Sequence, residues 1–268
     1  MLTFIGLGLY DERSVTVEGR EALRDADRAF AEFYTSRLVG TTVEELEAYH
    51  GVDIEVRNRA GVERDPEPVL DAAETAEVAF LTAGDTMIST THVDLRLRAH
   101  ERGIETRVIH GVSAQSAAAG LTGLQNYRFG KATTLPFPGA HGGDDVPASV
   151  VETIEENRAR DLHTLVYLDI KVDDPTADAA GLSEGEEYMT GDYAAELLAA
   201  GWADELAVVV ARAGSPDPVV AADRLSNLAE GEFGGPLHLL VVPAEPHHLE
   251  ADALEALAGA PASLLGRE

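Results

Sequence analysis

FIGLGLYDERS, residues 4–14, predicts an apolar strand that runs into a glycine-bearing turn, and it sets the fold class for the rest of the chain. Gly6 and Gly8 lack a Cβ, so the backbone there is able to approach a ligand or a neighbouring segment closely. A dinucleotide-binding fingerprint places a third glycine at position 11, but Asp11 stands there, so the match is partial. A tight strand-to-helix turn without a ligand explains these glycines equally well.

Short β-branched runs alternate with amphipathic stretches on the C-terminal side of this turn. The predicted strands of the first half are residues 3–9, 29–34, 53–56, 78–83 and 107–110. The predicted helices between them are residues 15–26, 43–50, 66–76 and 91–102. Thr42 and Glu45 have the spacing of a capping box, and Gly103 stands where a helix C-cap is expected. This alternation is typical of βα units wound into a parallel sheet.

A second α/β series follows the small-residue stretch 113–123. Its predicted strands are residues 131–135, 164–170, 206–213 and 237–242. Its predicted helices are residues 148–160, 192–202 and 222–230, and residues 137–146 are expected to form a long loop. The sequence therefore predicts two consecutive α/β domains with mostly parallel sheets, residues 1–112 and 113–268.

The composition is strongly acidic. Among the 268 residues, 48 Asp and Glu face 20 Lys and Arg, giving a formal net charge of −28, and there is no cysteine. At molar salt the Debye length shrinks to about 3 Å, which suppresses the self-repulsion of such a surface. We therefore expect a cytoplasmic protein of a salt-accumulating cell. Direct binding to nucleic acid is not expected, because phosphates require a basic face.

The termini and the apolar runs bear on location. We expect no secretory signal, because the first residues lack a basic segment, and no apolar run approaches the roughly 18 residues of a membrane span. Neither HExxH nor a ligand cluster appears among the nine histidines, so no metal is expected. The adjacent His247 and His248 are interpreted as solvated surface.

Two further motifs follow predicted strands. VAFLTAGDTMIS, residues 78–89, places Asp85 at the carboxyl end of a strand, where open α/β sheets bind ligands. An N-cap is the alternative interpretation of Asp85. VIHGVSAQSAAAGLTG, residues 108–123, is rich in Ala, Ser and Gly, which favours close helix-on-sheet packing or a cavity for a flat ligand. His110 stands near Ser113, but no Gly-x-Ser-x-Gly elbow is present, which argues against a hydrolase.

Taken together, these segments resemble the diphthine synthase family, in the tetrapyrrole-methylase-like class of S-adenosylmethionine-dependent methyltransferases. The resemblance covers nearly the whole chain. It rests on FIGLGLYDERS, AEFYTS (31–36), the GD turn with TTHVDLRLRA (90–99), GLTGL (120–124), FGKATT (129–134), HTLVYLDIKV (163–172) and VVVARAGS (208–215).

The resemblance implies a homodimer that holds S-adenosylmethionine between its two domains. Carried over by position, the residues that it implies for cofactor binding are Leu9, Asp85, Ile88, Ser113, Ala114, Leu168, Ala213 and His238. The implied reaction methylates the amino group of a 3-amino-3-carboxypropyl chain on a histidine of translation elongation factor 2. In archaeal members three transfers give diphthine.

The sequence departs from the family pattern at two places. Thr86 stands where the wider tetrapyrrole-methylase-like class usually has proline after Gly-Asp, and residues 111–114, GVSA, are smaller than the Ala-Pro-Ser-Ile of relatives. No general base is identified, since the resemblance assigns both Asp85 and His238 to the cofactor. On the acceptor side, residues 34–37 are interpreted as lining, and Arg212 and Lys171 as contacts for the acceptor carboxylate, with surface ion pairs as the alternative.

Other functions remain open at this point. A tetrapyrrole C-methyltransferase uses the same cofactor, but it needs cations for an anionic macrocycle, and the chain holds only two lysines, Lys131 and Lys171. A Rossmann oxidoreductase lacks support without the third glycine. A nucleotide-binding or assembly module without enzymatic activity is the third alternative.

Overall fold

A computed structural model describes residues 1–140, 143, 145–171 and 186–266. Its contacts divide the chain into two compact units. The first unit contains Met1–Ser113 and the described part of Ile170–Glu187, and the second contains Ala114–Asp169 with the described part of Tyr188–Glu268. One division falls beside the predicted boundary at residues 112 and 113. The segment from Ile170 groups with the first unit, whereas the sequence predicted two consecutive domains.

The first unit is built on a five-stranded parallel sheet with the order β3-β2-β4-β1-β5. Its strands are β1 (Leu2–Gly6), β2 (Arg28–Glu32), β3 (Ile54–Val56), β4 (Val78–Thr82) and β5 (Thr106–Ile109). Its helices are α1 (Val17–Asp25), α2 (Val43–His50), α3 (Arg59–Glu63), α4 (Glu67–Thr75) and α5 (His92–Glu101). Separate apolar clusters cover the two faces of the sheet, as parallel sheets require.

The second unit is built on a mixed sheet with the order β11-β10-β12-β7-β6. Its first elements are α6 (Ala114–Thr122), β6 (Thr133–Leu135), α7 (Ala148–Arg158) and β7 (Thr164–Leu168). A two-stranded ribbon follows along the chain, β8 (Ile170–Lys171) with β9 (Glu187–Tyr188), and all of it except Tyr188 groups with the first unit. The remaining elements are α8 (Gly191–Trp202), β10 (Leu206–Ala211), β11 (Val219–Arg224), α9 (Leu225–Leu228), β12 (His238–Val242) and α10 (His248–Ala258).

Strand direction differs between the two sheets. Every pair in the first sheet is parallel, whereas in the second only β6 and β7 are parallel and the other three pairs are antiparallel. The prediction of mostly parallel sheets therefore applies to the first unit and is wrong for the second. β11 returns beside β10 through residues 212–218 and gives one antiparallel pair, and β12, which runs opposite to both β10 and β7, gives the other two.

One predicted element needs correction, and two helices were not predicted. The predicted helix 222–230 is instead strand β11 followed by the single turn α9. The alanines that suggested a helix pair with β10 in the ladder, with Ala222 opposite Val208. Helices α3 and α10 were not predicted. In the predicted loop 137–146, residues 141, 142 and 144 lie outside the described residues, and the rest carry neither helix nor strand. None of the described helices is long and apolar enough to span a membrane.

Candidate functional site

The candidate site of the first unit begins where three loops meet at the carboxyl edge of the parallel sheet. A Cβ built on Gly111 would stand 2.3 Å from the Gly84 carbonyl oxygen, and one on Gly6 would stand 2.5 Å from the Gly111 nitrogen. Gly8 and Gly84 exchange backbone hydrogen bonds of 3.1 and 2.7 Å. The loops after β1, β4 and β5 therefore touch backbone to backbone, which only glycine permits.

The loop after β1 is closed by its own side chains. The Leu9 carbonyl accepts hydrogen bonds from the Ser14 hydroxyl and from the Asp11 amide. The Asp11 carboxylate accepts from the Arg13 amide at 3.0 Å and pairs with the Arg13 guanidinium. Helix α1 begins only at Val17, so the glycine turn does not lead directly into a helix N-terminus. The phosphate site of a dinucleotide fold requires that arrangement, and it is not formed here.

Asp85 is buried at the carboxyl end of β4. Its Oδ1 accepts a hydrogen bond from the Met87 amide at 2.9 Å, and its Oδ2 lies 2.8 Å from Nδ1 of His110. It does not cap a helix, because α5 begins at His92. Ile88 is 41% exposed in the same loop. Each carboxylate oxygen retains a lone pair, so Asp85 is able to accept a further hydrogen bond from a ligand.

Thr86, which stands where we expected proline from the wider class, is fully buried. Its carbonyl lies 3.0 Å from Nδ1 of His92, and its hydroxyl lies 3.4 Å from that of Thr82. The loop that carries Asp85 is therefore fixed by hydrogen bonds rather than by a proline ring.

A buried carboxylate beneath this loop was not identified from the sequence. Glu32 ends β2, and its Oε1 lies 3.4 Å from His92 Nε2, with neither side chain exposed. Burial raises the pKa of Glu32 to about 7, against opposing hydrogen bonds from the Thr35 and Tyr34 amides. Burial also lowers the pKa of His92. Both directions favour the uncharged forms of Glu32 and His92. The sequence did contain one signal for Glu32, because an acidic residue is unusual at the end of an otherwise apolar strand.

Ser113 and Ala114 lie where β5 gives way to α6, and both are half-buried. Ser113 belongs to the first unit and Ala114 opens the second. Leu9, Asp85, Ile88 and Ser113 all follow the carboxyl ends of the adjacent strands β4, β1 and β5. The structure thus gathers these four predicted residues at one sheet edge.

The remaining predicted residues lie at one edge of the second sheet. Leu168 ends β7, Ala213 lies just past β10, and His238 opens β12 between those strands. The register pairs His238 with Ala211, and Leu239 with Tyr167. Because β12 is antiparallel to both neighbours, its first residue lies at their carboxyl ends.

The His238 ring is fully engaged inside the second unit. Its Nδ1 accepts from the Gly191 amide at 2.8 Å, and its Nε2 lies 2.8 Å from the Gly235 carbonyl. Burial lowers its pKa, which favours the neutral ring that this pattern requires. A ligand contact at this position must therefore use the backbone.

Two cations interpreted as acceptor contacts have partners within the protein. Arg212 donates to the Phe233 carbonyl at 2.8 Å and to that of Asp217 at 3.2 Å. Lys171 pairs with Glu187 at 2.6 Å. These partners match the ion-pair alternative for Lys171 and show a structural role for Arg212. Among the described residues no group of three metal-ligating side chains occurs.

The chain is similar to proteins of one family over almost its full length. The family of tetrapyrrole (corrin/porphyrin) methylases matches residues 1–229. A diphthine synthase of Halorubrum lacusprofundi is 75% identical over 265 residues, which is 99% of each chain. A diphthine synthase of Natronomonas pharaonis is 69% identical, covering 99% of this chain and 98% of the relative. The crystal structure of a diphthine synthase superposes with a TM-score of 0.87 at 39% identity, covering 98% of each chain.

Proposed function

The chain belongs to the diphthine synthase family of the tetrapyrrole methylases, and on that premise we propose which molecules it uses. The protein is a methyltransferase. Its methyl donor is S-adenosylmethionine, and its acceptor is the amino group of the 3-amino-3-carboxypropyl-histidine of translation elongation factor 2. Three successive transfers give the trimethylammonium product, diphthine. The observation that carries this proposal is the 75% identity to a diphthine synthase over 99% of the chain.

The residues at the two sheet edges fit such a donor. A ribose-bearing cation needs a fixed acceptor oxygen and apolar surface, and the first unit offers the buried Asp85 carboxylate beside Leu9 and Ile88. The second unit offers the apolar side chains of Leu168 and Ala213, and His238 offers its backbone. We assign the donor to these residues together with Ser113 and Ala114. When bound, S-adenosylmethionine supplies the methyl group of its positively charged sulfur, and the rest of the molecule departs as S-adenosylhomocysteine.

The protein's own contribution is positioning and control of protons. A near-attack arrangement of two reactants is worth about 7–11 kcal/mol at best, so rigid loops are more valuable here than a nucleophilic side chain. The glycine contacts and the His92–Thr86 hydrogen bond provide that rigidity at the donor edge. The acceptor nitrogen must also lose a proton before each attack, since an ammonium has no lone pair.

The segment after β2 is proposed as the acceptor side. Tyr34 and Thr35 are held by Glu32 through their amides, and Arg37 pairs with Glu186. The Arg59 guanidinium lies 5.1 Å from the Tyr34 ring centroid. A Tyr34→Ala variant is expected to raise KM for the elongation factor while S-adenosylhomocysteine still binds. Loss of donor binding instead would contradict the assignment.

The cellular setting belongs to the same proposal. We place the protein in the cytoplasm of a halophilic archaeon, because its net charge of −28 suits concentrated salt. The homodimer is proposed from the family resemblance alone.

The decisive experiment is methyl transfer at high salt. The protein is incubated with radiolabelled S-adenosylmethionine and elongation factor 2 that carries the precursor side chain, and the modified histidine is analysed by mass spectrometry. We expect mass increments in multiples of a methyl group, and none on elongation factor lacking the precursor. Transfer only to an anionic tetrapyrrole would support a C-methyltransferase, and binding without transfer would support a non-enzymatic module.

A further inference from the structure

Most histidines of the chain are unsuited to accept a proton from a bound substrate. The rings of His50, His92, His163 and His238 are buried and bound to internal partners. His247 caps α10, with His248 next to it, beyond the opposite end of β12 from His238. His100 lies in the last turn of α5, which leads into the amino end of β5 rather than its carboxyl end. Among the described histidines this leaves His110.

His110 has the geometry of an oriented base. It directly follows β5 at the carboxyl edge of the first sheet, and its side chain is 73% exposed. Its Nδ1 lies 2.8 Å from Oδ2 of Asp85, whose side chain is only 6% exposed. An ionised carboxylate only accepts hydrogen bonds, so Nδ1 carries the proton and Nε2 carries the lone pair. Asp85 thus fixes both the tautomer and the ring orientation.

Asp85 is itself held firmly, which makes the pair rigid. The Met87 amide binds its other oxygen at 2.9 Å, and Gly84 and Gly111, the neighbours of Asp85 and His110, are in backbone contact. Asp85 is the charged side chain that the structure shows in hydrogen-bond contact with His110. This is the arrangement in which a buried carboxylate orients a histidine for acid–base chemistry.

We infer that His110 is the general base that deprotonates the acceptor ammonium before each methyl transfer. The inference rests on the proposed function. In each cycle an N–H bond of the ammonium breaks, its proton goes to Nε2, and the amine nitrogen keeps the electron pair for its attack on the methyl group. The imidazolium is stabilised by Asp85 and then releases the proton to water. Three cycles remove the three ammonium protons, so no proton remains on the trimethylated nitrogen.

The test separates the base from a merely structural hydrogen bond. His110→Asn keeps an amide N–H at the position of Nδ1, so the contact with Asp85 survives, but it lacks the lone pair of Nε2. We expect kcat to fall about 10²- to 10⁴-fold. The KM for S-adenosylmethionine and the calorimetric Kd for S-adenosylhomocysteine should change less than about threefold. His100→Asn, an exposed substitution on α5, is the matched control and should behave as wild type.

The pH profile and chemical rescue give further measurements. The pH profile of log kcat should differ in shape between the wild type and His110→Asn, because only the wild type has a proton acceptor at this position. Added imidazole should restore part of the rate to His110→Ala, which also covers the case in which the Asn variant folds poorly.

Three results would overturn the inference. One is a His110→Asn variant with wild-type kcat and pH profile. Another is an equal loss of kcat and of affinity for S-adenosylhomocysteine, which would make His110 a positioning residue for the donor. The third is a wild-type protein that binds S-adenosylhomocysteine but transfers no methyl to elongation factor 2, which rejects the proposed function along with the inference.

Discussion

Glu32 shows how one enclosed side chain ties two loops of the candidate site together. Its Oε2 accepts from the amides of Tyr34 and Thr35, and its Oε1 faces His92, which in turn binds the Thr86 carbonyl. The segment proposed for the acceptor and the loop that carries Asp85 therefore share one buried acid. Holding that acid uncharged avoids the large cost of an enclosed charge.

The stability of the protein should record this titration. Because the folded pKa of Glu32 is about 7 against an ordinary value of 4.5, its contribution is fully present below pH 4.5 and is lost as pH rises to 7. The amount corresponds to about 3 kcal/mol. His92 has the opposite sign, since its lowered pKa makes stability fall as pH drops below 6.5. We therefore expect the difference in unfolding free energy between wild type and Glu32→Gln to decline from pH 4.5 to 7.

Urea denaturation at constant high salt measures that difference, because urea leaves the ionic strength unchanged. A difference that does not vary with pH would mean that the pKa of Glu32 is not raised in the folded protein. His92→Gln, measured in parallel, isolates the histidine's part of the curve.

At the scale of secondary-structure elements, the meeting of the three strand-end loops depends on glycine. Gly111→Ala brings a Cβ within 2.3 Å of the Gly84 carbonyl oxygen, so a backbone must shift. We expect it to destabilise the protein by about 1–3 kcal/mol and to weaken binding of S-adenosylhomocysteine. Gly120→Ala in α6 is the matched control, with no atom within 4 Å of the added methyl. It should stabilise the protein by about 0.5–1 kcal/mol, as alanine does in a helix. Equal effects at the two positions would contradict the packing argument.

Helix α10 depends on a buried carboxylate at its first turn. Glu250 accepts hydrogen bonds from the Gln125 and His247 amides and from His163, and pairs with Arg128. Burial alone would raise the pKa of Glu250, but the hydrogen bonds from Gln125, His163 and His247 prevail and lower it. Its stabilisation is therefore present above pH 4.5 and is lost as pH falls through the lowered value.

Removing this carboxylate should be costly. Glu250→Ala leaves Arg128, His163 and two amides without their acceptor, so we expect a loss of about 3–5 kcal/mol in unfolding free energy. Glu196→Ala, an exposed substitution on α8, should cost less than about 0.5 kcal/mol. A small loss at position 250 in the same urea titrations would show that water replaces the carboxylate.

The sequence predicted elements well where the pattern was local. Strands β1, β4 and β10 are mostly apolar and buried along their whole length, and the capping box of Thr42 and Glu45 is present at α2. Strand β11 was missed because Ala221 and Ala222 favour a helix locally, while the ladder with β10 is a tertiary effect. Helix α10 begins with a histidine N-cap, a residue outside the usual capping set.

The candidate site was predictable only in part, because its side-chain pairings are also tertiary effects. Sheet topology brings Leu9, Asp85, Ile88 and Ser113 to one edge, and positions at strand ends are visible in a sequence. The pairings of Asp85 with His110 and of Glu32 with His92 join residues 25 and 60 positions apart through side-chain direction. No pattern along the chain encodes that direction. Likewise, only the structure reveals that both ring nitrogens of His238 are hydrogen-bonded.

At the scale of the whole molecule, the net charge of −28 dominates. Several ion pairs among the described residues join two exposed side chains, and such pairs contribute little individually. The acids therefore repel one another at low salt without compensation from specific pairs. We expect the free energy of unfolding to rise by several kcal/mol between dilute buffer and molar KCl.

A calorimetric salt series tests this expectation. A gain of about 4 kcal/mol corresponds to a rise in Tm of roughly 10 °C for a chain of this size. Sucrose at matched osmolality is the control, because it acts through exclusion from the surface and not through screening. A Tm that is as high in dilute buffer as in molar KCl would refute the halophilic assignment.

The contact among Gly6, Gly84 and Gly111 also determines where the protein can be redesigned. A mutational library that aims at new methyl acceptors would waste its members at these three codons, since every other amino acid adds atoms between touching main chains. The exposed Ile88 and Val112 lie in the same loops and have room for larger or more polar groups. Substitutions concentrated at these two residues would change the surface of the loops while the glycine contacts stay unchanged.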